Sequence, residues 1–323
     1  MVFVDDIEVD AVEHCNLKCT QCSHLSPHFT AKDSTYEYDQ FCTDINHLAK
    51  NVRCNVFRFV GGEPLLNKNL REWAIAVRET HIANKLSIFT NGLLINDSTL
   101  SALEQFDDIR ISVYNLNDDK FKKIINNVLW LKLQLPHKSI VANHIKTFLK
   151  FNLIEKNTNQ ELVEKIYKNC YHNKNSYTLF KNRLYRCFAT RKKGKFLEKY
   201  KSMISDDYEK MLNPATDSIA ITDSTTELQL DTFFNNQQPL EGCKWCLGCS
   251  GKRFENQQIS DCSTEFATIK DVDFEAGNSY VSNCLLSWHM NRLEEVVDDK
   301  FFSKEFLNDF EKYHSKELNK ALE

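Results

Sequence analysis

Hydrophobic and polar positions repeat with two different periods along the first half of the chain. Short apolar, β-branched runs are typical of buried strands, and the segments between them repeat apolar residues with helical periodicity. The predicted strands are IEVDAVEH (7–14), NVFRFVGG (55–62), KLSIFTNG (85–92), DIRISVYN (108–115) and IKTFLKFN (145–152), and the clearest helices are YDQFCTDINHLAKNV (38–52) and LREWAIAVRETHI (70–82). Strands that alternate with helices at roughly 30-residue spacing predict a parallel sheet, open or closed into a barrel.

The pattern changes after about residue 155. A helical stretch, NQELVEKIYKN, precedes SYTLFKNRLYRC, which predicts a β-hairpin that turns at Lys181-Asn182 because Asn tolerates the left-handed conformation. Residues 213–241 are polar and predict loops, whereas residues 291–323 predict an amphipathic helix. We therefore expect an α/β protein with a partial parallel (β/α) barrel over 1–155, a small α+β region over 156–290, and a C-terminal helix over 291–323.

Composition and charge exclude several classes of protein. The 323 residues are 42% hydrophobic, which is enough for a large core, and 41 basic against 45 acidic residues leave a net charge of −4. A weakly acidic chain does not suit a general polyanion binder. The acidic N-terminus is unlike a signal peptide, and no stretch resembles a membrane span. We expect a cytoplasmic protein without a membrane or nucleic-acid partner.

Twelve cysteines are distributed unevenly along the chain. Cytosolic cysteines seldom form a disulfide framework, and clustered ones suggest metal binding. Cys15, Cys19 and Cys22 follow the first predicted strand, no cysteine occurs from 55 to 169, and seven lie from Cys170 to Cys284. Cys42 and Cys54, which stand singly among apolar residues, are predicted core thiols. The distribution predicts two regions with different chemistry.

The first three cysteines allow two kinds of metal site. Three thiolates can hold three irons of a [4Fe-4S] cluster, which leaves one iron without a protein ligand, whereas electron-transfer clusters ordinarily have four cysteine ligands. Zinc could instead take the three thiolates and one histidine, since His14, His24 and His28 lie nearby. The cysteine spacing alone leaves both alternatives open.

Three motifs in order resemble the radical SAM enzymes. The spacing C-x3-C-x2-C after the first strand is similar to the signature of that family, GGEP at 61–64 resembles its second motif, and TNG at 90–92 resembles the loop after its third strand. The resemblance implies that S-adenosylmethionine chelates the open iron. It also implies the cofactor-binding residues Gly61, Gly62, Glu63, Asn91 and, at the ribose, Ser112. Gln21 departs from the family, which usually has an aromatic residue before the third cysteine.

The second group of cysteines also has two interpretations. Two pairs of thiols are typical of a zinc ribbon or of a second iron–sulfur cluster. The pattern resembles the twitch and SPASM extensions of radical SAM enzymes, with Asn182 in place of a glycine. The resemblance implies a second [4Fe-4S] cluster on Cys170, Cys187, Cys243 and Cys246, with Cys249 as an alternative ligand. Cys262 and Cys284 stay unassigned.

The resemblance implies an oxidoreductase. A reduced first cluster passes an electron to S-adenosylmethionine, the resulting 5′-deoxyadenosyl radical abstracts a hydrogen atom from the substrate, and the second cluster accepts an electron. Among twitch enzymes the chain looks similar to 2-deoxy-scyllo-inosamine dehydrogenase. We therefore expect oxidation of a carbinol in a sugar, cyclitol or nucleotide-sugar, with flavodoxin or ferredoxin as reductant.

The proton acceptor for such an oxidation is not evident from the sequence. Weak candidates at the predicted strand ends are Tyr114, Lys150 and Asn152. The basic residues near the hairpin could meet a substrate phosphate or form a solvated face; they are Arg183, Arg186, Arg191, Lys192, Lys193 and Lys195.

Three other functions fit parts of the pattern. Within the same superfamily, the chain could be a maturase of peptides or sulfatases, or a radical epimerase without net oxidation. Outside the superfamily, it could be a zinc-binding interaction module without catalysis.

Overall fold

A computed structural model of the chain describes residues 1–114, 116–173, 176–260 and 266–275. The strands are β1 Val2–Val12, β2 Val52–Gly61, β3 Ala83–Thr90, β4 Asp108–Tyr114, β5 Ser139–Ile145, β6 Thr147–Leu149, β7 Tyr177–Phe180, β8 Arg183–Tyr185, β9 Ser218–Ala220 and β10 Arg253–Glu255. The α-helices are α1 Tyr38–Ala49, α2 Leu70–Glu79, α3 Asp97–Leu103, α4 Asp118–Gln134, α5 Gln160–Lys168, α6 Phe188–Lys199, α7 Glu209–Leu212 and α8 Glu227–Asn235. Cys262, Cys284 and the predicted helix at 291–323 lie outside the described residues.

Eight strands form one sheet in the order β5-β4-β3-β2-β1-β7-β8-β9. Strands β1 to β5 are parallel neighbours joined through helices, and β7 runs parallel to β1 on its other side. The apolar faces of α1 and α2 cover the sheet, where Trp73 stacks on Phe41 with ring centroids 4.2 Å apart. The predicted α/β class with a mostly parallel sheet is confirmed.

The fifth parallel strand differs from the predicted one. Residues 145–152 were expected to form it, but β5 spans Ser139–Ile145 and pairs with β4, while β6 pairs antiparallel with β10. The prediction was wrong because IKTFLKFN carries the larger apolar side chains, Phe148, Leu149 and Phe151, whereas β5 (SIVANHI) buries only Ile140 and Ala142.

The predicted hairpin forms and joins the main sheet. Strands β7 and β8 are antiparallel, and Lys181 and Asn182 connect them with φ of 44° and 59°. Two consecutive positive φ angles are typical of a type I′ turn, whose twist matches that of the strands. The sheet therefore contains strands from both sides of residue 155, and the division into domains stays a prediction.

The polar sequence of 213–241 predicts loops, but this segment also contains regular secondary structure. It contains β9 and α8, and α8 begins with a capping box in which Thr226 and Gln229 satisfy each other's backbone amides. Within the described part of the chain, no helix is long and apolar enough to cross a bilayer.

Candidate cluster and cofactor sites

A cavity of about 310 Å³ opens where the parallel strands end. Carboxyl ends of parallel strands meet at one edge of a sheet, so the loops that follow them converge there. The predicted residues that line this cavity are Cys15, Cys19, Cys22, Gly61, Gly62, Glu63, Asn91, Ser112 and Tyr114. The structure thus brings together every residue predicted for the first cluster and its cofactor, and their roles stay predictions.

The thiols of the first loop receive hydrogen bonds of the kind that iron–sulfur ligands accept. The backbone N–H of Leu17 donates to Cys15 Sγ at 3.3 Å, and Gln258 Nε2 donates to Cys19 Sγ at 3.0 Å. Burial raises the pKa of both thiols to about 12. The free thiols therefore hold their protons at neutral pH, and ligation would release them.

The histidines that a zinc site would need have other partners. Each histidine has a ring nitrogen within hydrogen-bond distance of another side chain. The pairs are His14 with Ser34 Oγ, His24 with Asp10 Oδ1 and His28 with Tyr200 Oη. Among residues that the structure describes, no three His, Cys, Asp or Glu side chains are placed to share a single metal ion. Since the three histidines have these partners, the three thiols are the donor set of this loop, and three thiolates suit a [4Fe-4S] cluster with one open iron.

Glu63 joins the second and third loops. Its carboxylate accepts hydrogen bonds from Thr90 Oγ1 at 2.6 Å, from the Asn91 backbone N–H at 2.8 Å and from the Leu65 N–H at 3.1 Å. Burial raises its pKa to about 7, and these hydrogen bonds act in the opposite direction. Glu63 therefore fixes the position of Asn91, whose Nδ2 lies 3.7 Å from Cys15 Sγ.

Gln21 has a structural role that the sequence did not reveal. Its backbone is left-handed, with φ of 52°, and its Oε1 accepts hydrogen bonds from the N–H groups of Phe151 and Asn152 at 3.0 and 3.1 Å. The first cysteine loop is therefore tied to the chain that follows β6. An aromatic side chain at this position would lack that acceptor.

The first strand carries carboxylates that the sequence analysis did not single out. Asp6, Glu8 and Asp10 alternate along β1, and in the sheet register Glu8 lies between Arg58 of β2 and Thr178 of β7. Glu8 lines the cavity and accepts a hydrogen bond from Thr178 Oγ1 at 3.0 Å. Burial, reinforced by Asp10, raises its pKa to about 8. The period-two repeat of acids within an apolar strand was the signal that could have revealed it.

The three weak candidates for a proton acceptor lie in different surroundings. Tyr114 lines the cavity, whereas Lys150 Nζ pairs with Asp271 Oδ1 at 3.0 Å and does not line it. Asn152 is buried, and its Nδ2 donates to the carbonyl of Cys22 at 3.4 Å. Of the three, only Tyr114 faces the cavity that holds Glu8.

Four thiols from the second half of the chain meet at another cavity of about 30 Å³: those of Cys170, Cys187, Cys243 and Cys246. Burial raises the pKa of Cys187 and of Cys243, and the neighbouring thiols raise both further. The Sγ of Cys249 lies 4.0 Å from that of Cys170, but Cys249 lines a different cavity of about 320 Å³. A four-thiolate donor set around one buried space fits a [4Fe-4S] cluster.

Most of the basic residues near the hairpin have partners within the protein. Arg191 and Lys192 are buried ion partners of Glu13, with Arg191 Nη1 2.7 Å from Oε1 and Lys192 Nζ 3.1 Å from Oε2, and both also pair with Asp10. Arg183 donates to Ser218, Arg186 donates to Tyr167, and Lys193 is fully buried. Of the six basic residues, only Lys195 is exposed, as the residues of a solvated face would be. Arg191 and Lys192 of α6 do not form a solvated face because they are turned towards the carboxylates of Asp10 on β1 and of Glu13.

Curated relatives match about half of the chain. A GTP 3′,8-cyclase of Clostridium acetobutylicum is 28% identical over 170 residues, which are 50% of this chain and 49% of that protein. A GTP 3′,8-cyclase of Nostoc punctiforme is 28% identical over 156 residues, which are 47% and 48% of the two chains. The chain thus spans about half the length of these relatives, and neither is named as a dehydrogenase, the class that the sequence analysis favoured.

The chain is also similar to solved structures and matches one family model. Native anSMEcpe with bound AdoMet and Cp18Cys peptide is 13% identical with a TM-score of 0.45, covering 91% of this chain and 99% of that chain. BtrN in complex with AdoMet and 2-DOIA is 14% identical with a TM-score of 0.38, covering 72% and 82%. The model described as the Radical SAM superfamily matches residues 11–132, which contain all three motifs of the first site. Residues 11–132 therefore belong to the radical SAM superfamily of enzymes.

Proposed function

We propose that the chain is a radical SAM oxidoreductase with two [4Fe-4S] clusters, which oxidises a carbinol of a sugar, cyclitol or nucleotide-sugar. The observation that supports this is a series of three neighbouring cavities between the two groups of thiols. The cavity at the first group shares Ser23, Phe148 and His172 with the second cavity, which shares Phe151 with the four-thiol cavity. A substrate in this space would be near both sites.

Each group of residues has a distinct task in this proposal. Cys15, Cys19 and Cys22 hold the first cluster, and Cys170, Cys187, Cys243 and Cys246 hold the second. Bound at the first cluster, S-adenosylmethionine supplies the radical that removes a hydrogen atom from the substrate carbon. Gly61, Gly62 and Asn91 place the cofactor, Ser112 meets its ribose, and Glu63 keeps the Asn91 loop in position through hydrogen bonds to its backbone.

The substrate hydroxyl must also lose a proton when a carbinol becomes a carbonyl. We propose that Glu8 takes this proton in its ionised form, because it lies inside the cavity, and a pKa of about 8 makes its carboxylate a stronger base than an ordinary glutamate while leaving a fraction ionised near neutral pH. Thr178 Oγ1 orients the carboxylate through its hydrogen bond. The electron that leaves the substrate would pass to the second cluster, whose four thiolates leave no iron open to a ligand.

A second candidate is a cyclisation of a nucleoside triphosphate, as in the names of the curated relatives. The middle cavity supports it, because Lys146, Arg253 and His144 line that space and could meet phosphate groups. A peptide maturase and a redox-neutral epimerase also stay open within the superfamily.

The decisive experiment is anaerobic reconstitution with iron and sulfide analysis. We expect about eight irons per chain, falling to about four in the variant Cys15→Ala/Cys19→Ala/Cys22→Ala. Four irons falling to none would remove the second cluster, and two zinc ions in a colourless protein would exclude both clusters. Under reduction, release of 5′-deoxyadenosine from S-adenosylmethionine tests the radical step without a known substrate.

Product analysis then separates the candidate reactions. Aminocyclitols, nucleotide-sugars, a cysteine-containing peptide and GTP are each incubated with the reduced enzyme. A ketone supports carbinol oxidation, a cyclised nucleotide supports the second candidate, and solvent deuterium at an otherwise unchanged carbon indicates epimerisation. A product from the peptide alone would contradict the small-molecule proposal.

A further inference from the structure

Lys193 is a buried cation with an unusual set of partners. It lies on α6 with no exposed surface, its Nζ donates to Asn152 Oδ1 at 2.7 Å, and it lies over the ring of Phe196 at 5.1 Å from the centroid. Its neighbours Arg191 and Lys192 each pair with two carboxylates. Within the described ranges, Lys193 has no carboxylate partner.

Such a cation requires compensation from its surroundings. An unpaired ammonium in a protein interior is strongly unfavourable, so buried charges are ordinarily paired. Burial lowers the pKa of Lys193 to about 8, while the thiols of Cys246 and Cys187 act in the opposite direction. The groups that would attract its charge once they are ionised are therefore two of the four thiols proposed to bind the second cluster.

Asn152 holds Lys193 at a junction between the two groups of cysteines. Its Oδ1 accepts from Lys193, its Nδ2 donates to the carbonyl of Cys22, and its backbone forms a β-bridge with Cys246. Asn152 thus contacts the loop of the first cysteines, the loop of Cys246 and the buried ammonium of Lys193. Because Asn152 is itself 3% exposed, water contributes little to this arrangement.

We propose that Lys193 is the counter-ion of the second cluster and that its charge raises the reduction potential of that cluster. A [4Fe-4S] cluster on four thiolates is anionic, and a fixed positive charge nearby stabilises its reduced form more than its oxidised form. By raising this potential, Lys193 favours transfer of an electron from the substrate to the second cluster. It acts through the cluster and is not a catalytic residue. The inference rests on the proposed function, since it requires the second cluster.

The test uses the full chain carrying Cys15→Ala/Cys19→Ala/Cys22→Ala, so that only the second cluster remains. Its midpoint potential is measured with Lys193→Gln, which keeps a hydrogen-bond donor for Asn152 but removes the charge. We expect reduction to become at least tenfold less favourable, which is about 59 mV for one electron. Lys193→Arg should retain most of the potential, and Lys195→Met, an exposed position on the same helix, should leave it unchanged.

Each outcome bears on a separate claim. An unchanged potential in Lys193→Gln, with about four irons present, overturns the counter-ion and leaves the proposed function intact. No iron in the triple-alanine chain overturns the second cluster and the counter-ion together. If Lys193→Gln does not fold, Lys193→Arg decides. This variant must keep the cluster, and the equilibrium constant for reduction of the cluster must fall by less than threefold. A larger loss overturns the inference.

Discussion

The backbone of Gly62 packs directly against the carbonyl of His14. A β-carbon on Gly62 would lie 1.7 Å from the His14 oxygen, and the next N–H, that of Glu63, donates to the same oxygen at 3.1 Å. His14 immediately precedes the first cysteine. Gly62 was predicted as a cofactor-binding residue, but its nearest steric constraint is the loop that carries Cys15.

Gly62→Ala should therefore displace the first cysteine loop and abolish the first cluster. Neither backbone can shift cheaply, because the contact joins the ends of two parallel strands. After reconstitution we expect about four of about eight irons and no reductive release of 5′-deoxyadenosine. The four irons that remain serve as the internal control for folding of the second site. Full iron content with unaltered cleavage would contradict this account of the glycine.

Gln21 should contribute to stability through its two backbone partners. Gln21→Ala leaves the amides of Phe151 and Asn152 without their acceptor, and each unsatisfied buried amide costs about 1–3 kcal/mol. Gln21→Glu should lose less, because a carboxylate can accept both bonds. Chemical denaturation measures the difference, with the exposed Gln237→Ala as control.

The same position tests the missing aromatic residue. Gln21→Phe should lower the free energy of unfolding without tightening the binding of S-adenosylmethionine, because the hydrogen bonds to Phe151 and Asn152 are lost. Tighter binding of S-adenosylmethionine without a loss of stability would contradict this account. It would show that an aromatic contact with the cofactor matters more at this position than the hydrogen bonds of Gln21.

The sequence predicts the fold well where local signals agree with the tertiary structure. Apolar runs located β1 to β4, and the hairpin turn at Lys181-Asn182 follows from local backbone preference. The fifth strand was misplaced because it buries only two side chains, Ile140 and Ala142, so the neighbouring run with Phe148, Leu149 and Phe151 gave the stronger signal.

The candidate site was less predictable from the sequence. Motif spacing placed three cysteines, Glu63 and Asn91 at one cavity. The contacts of Gln21 and Lys193 depend on residues about 130 and 41 positions away in the chain, and no local pattern encodes such pairs. Long-range hydrogen bonds of this kind need the packed structure.

The fifth thiol of the second group should be dispensable for the second cluster. Cys246 lines the four-thiol cavity and its Sγ accepts from the N–H of Gly248 at 3.1 Å, whereas Cys249 lines the adjacent cavity. In the triple-alanine chain, Cys249→Ser should retain about four irons and Cys246→Ser should lose them. The reverse pattern would identify Cys249 as the ligand.

Glu8 should make the protein less stable as the pH rises. Its pKa is about 8 in the folded chain against 4.5 for an ordinary glutamate, so between these values the folded state holds a proton that the unfolded state has released. Unfolding then releases a proton, and stability falls with pH by up to about 1.4 kcal/mol per unit. Asp10 and Asp6 reinforce this shift, while Arg58 and the Thr178 hydrogen bond oppose it.

Glu8→Gln removes the titrating group but keeps an oxygen that can accept from Thr178. Relative to wild type, the variant should gain stability steadily from pH 5 to pH 8, and the gain should level off above the folded pKa of about 8. Urea denaturation across this range measures the effect, with the exposed Glu104→Gln as matched control. Parallel stability curves for wild type and Glu8→Gln would mean that Glu8 titrates normally. That result would also remove the reason for choosing Glu8 as the proton acceptor, since an ordinary glutamate is too weak a base at neutral pH to favour that transfer.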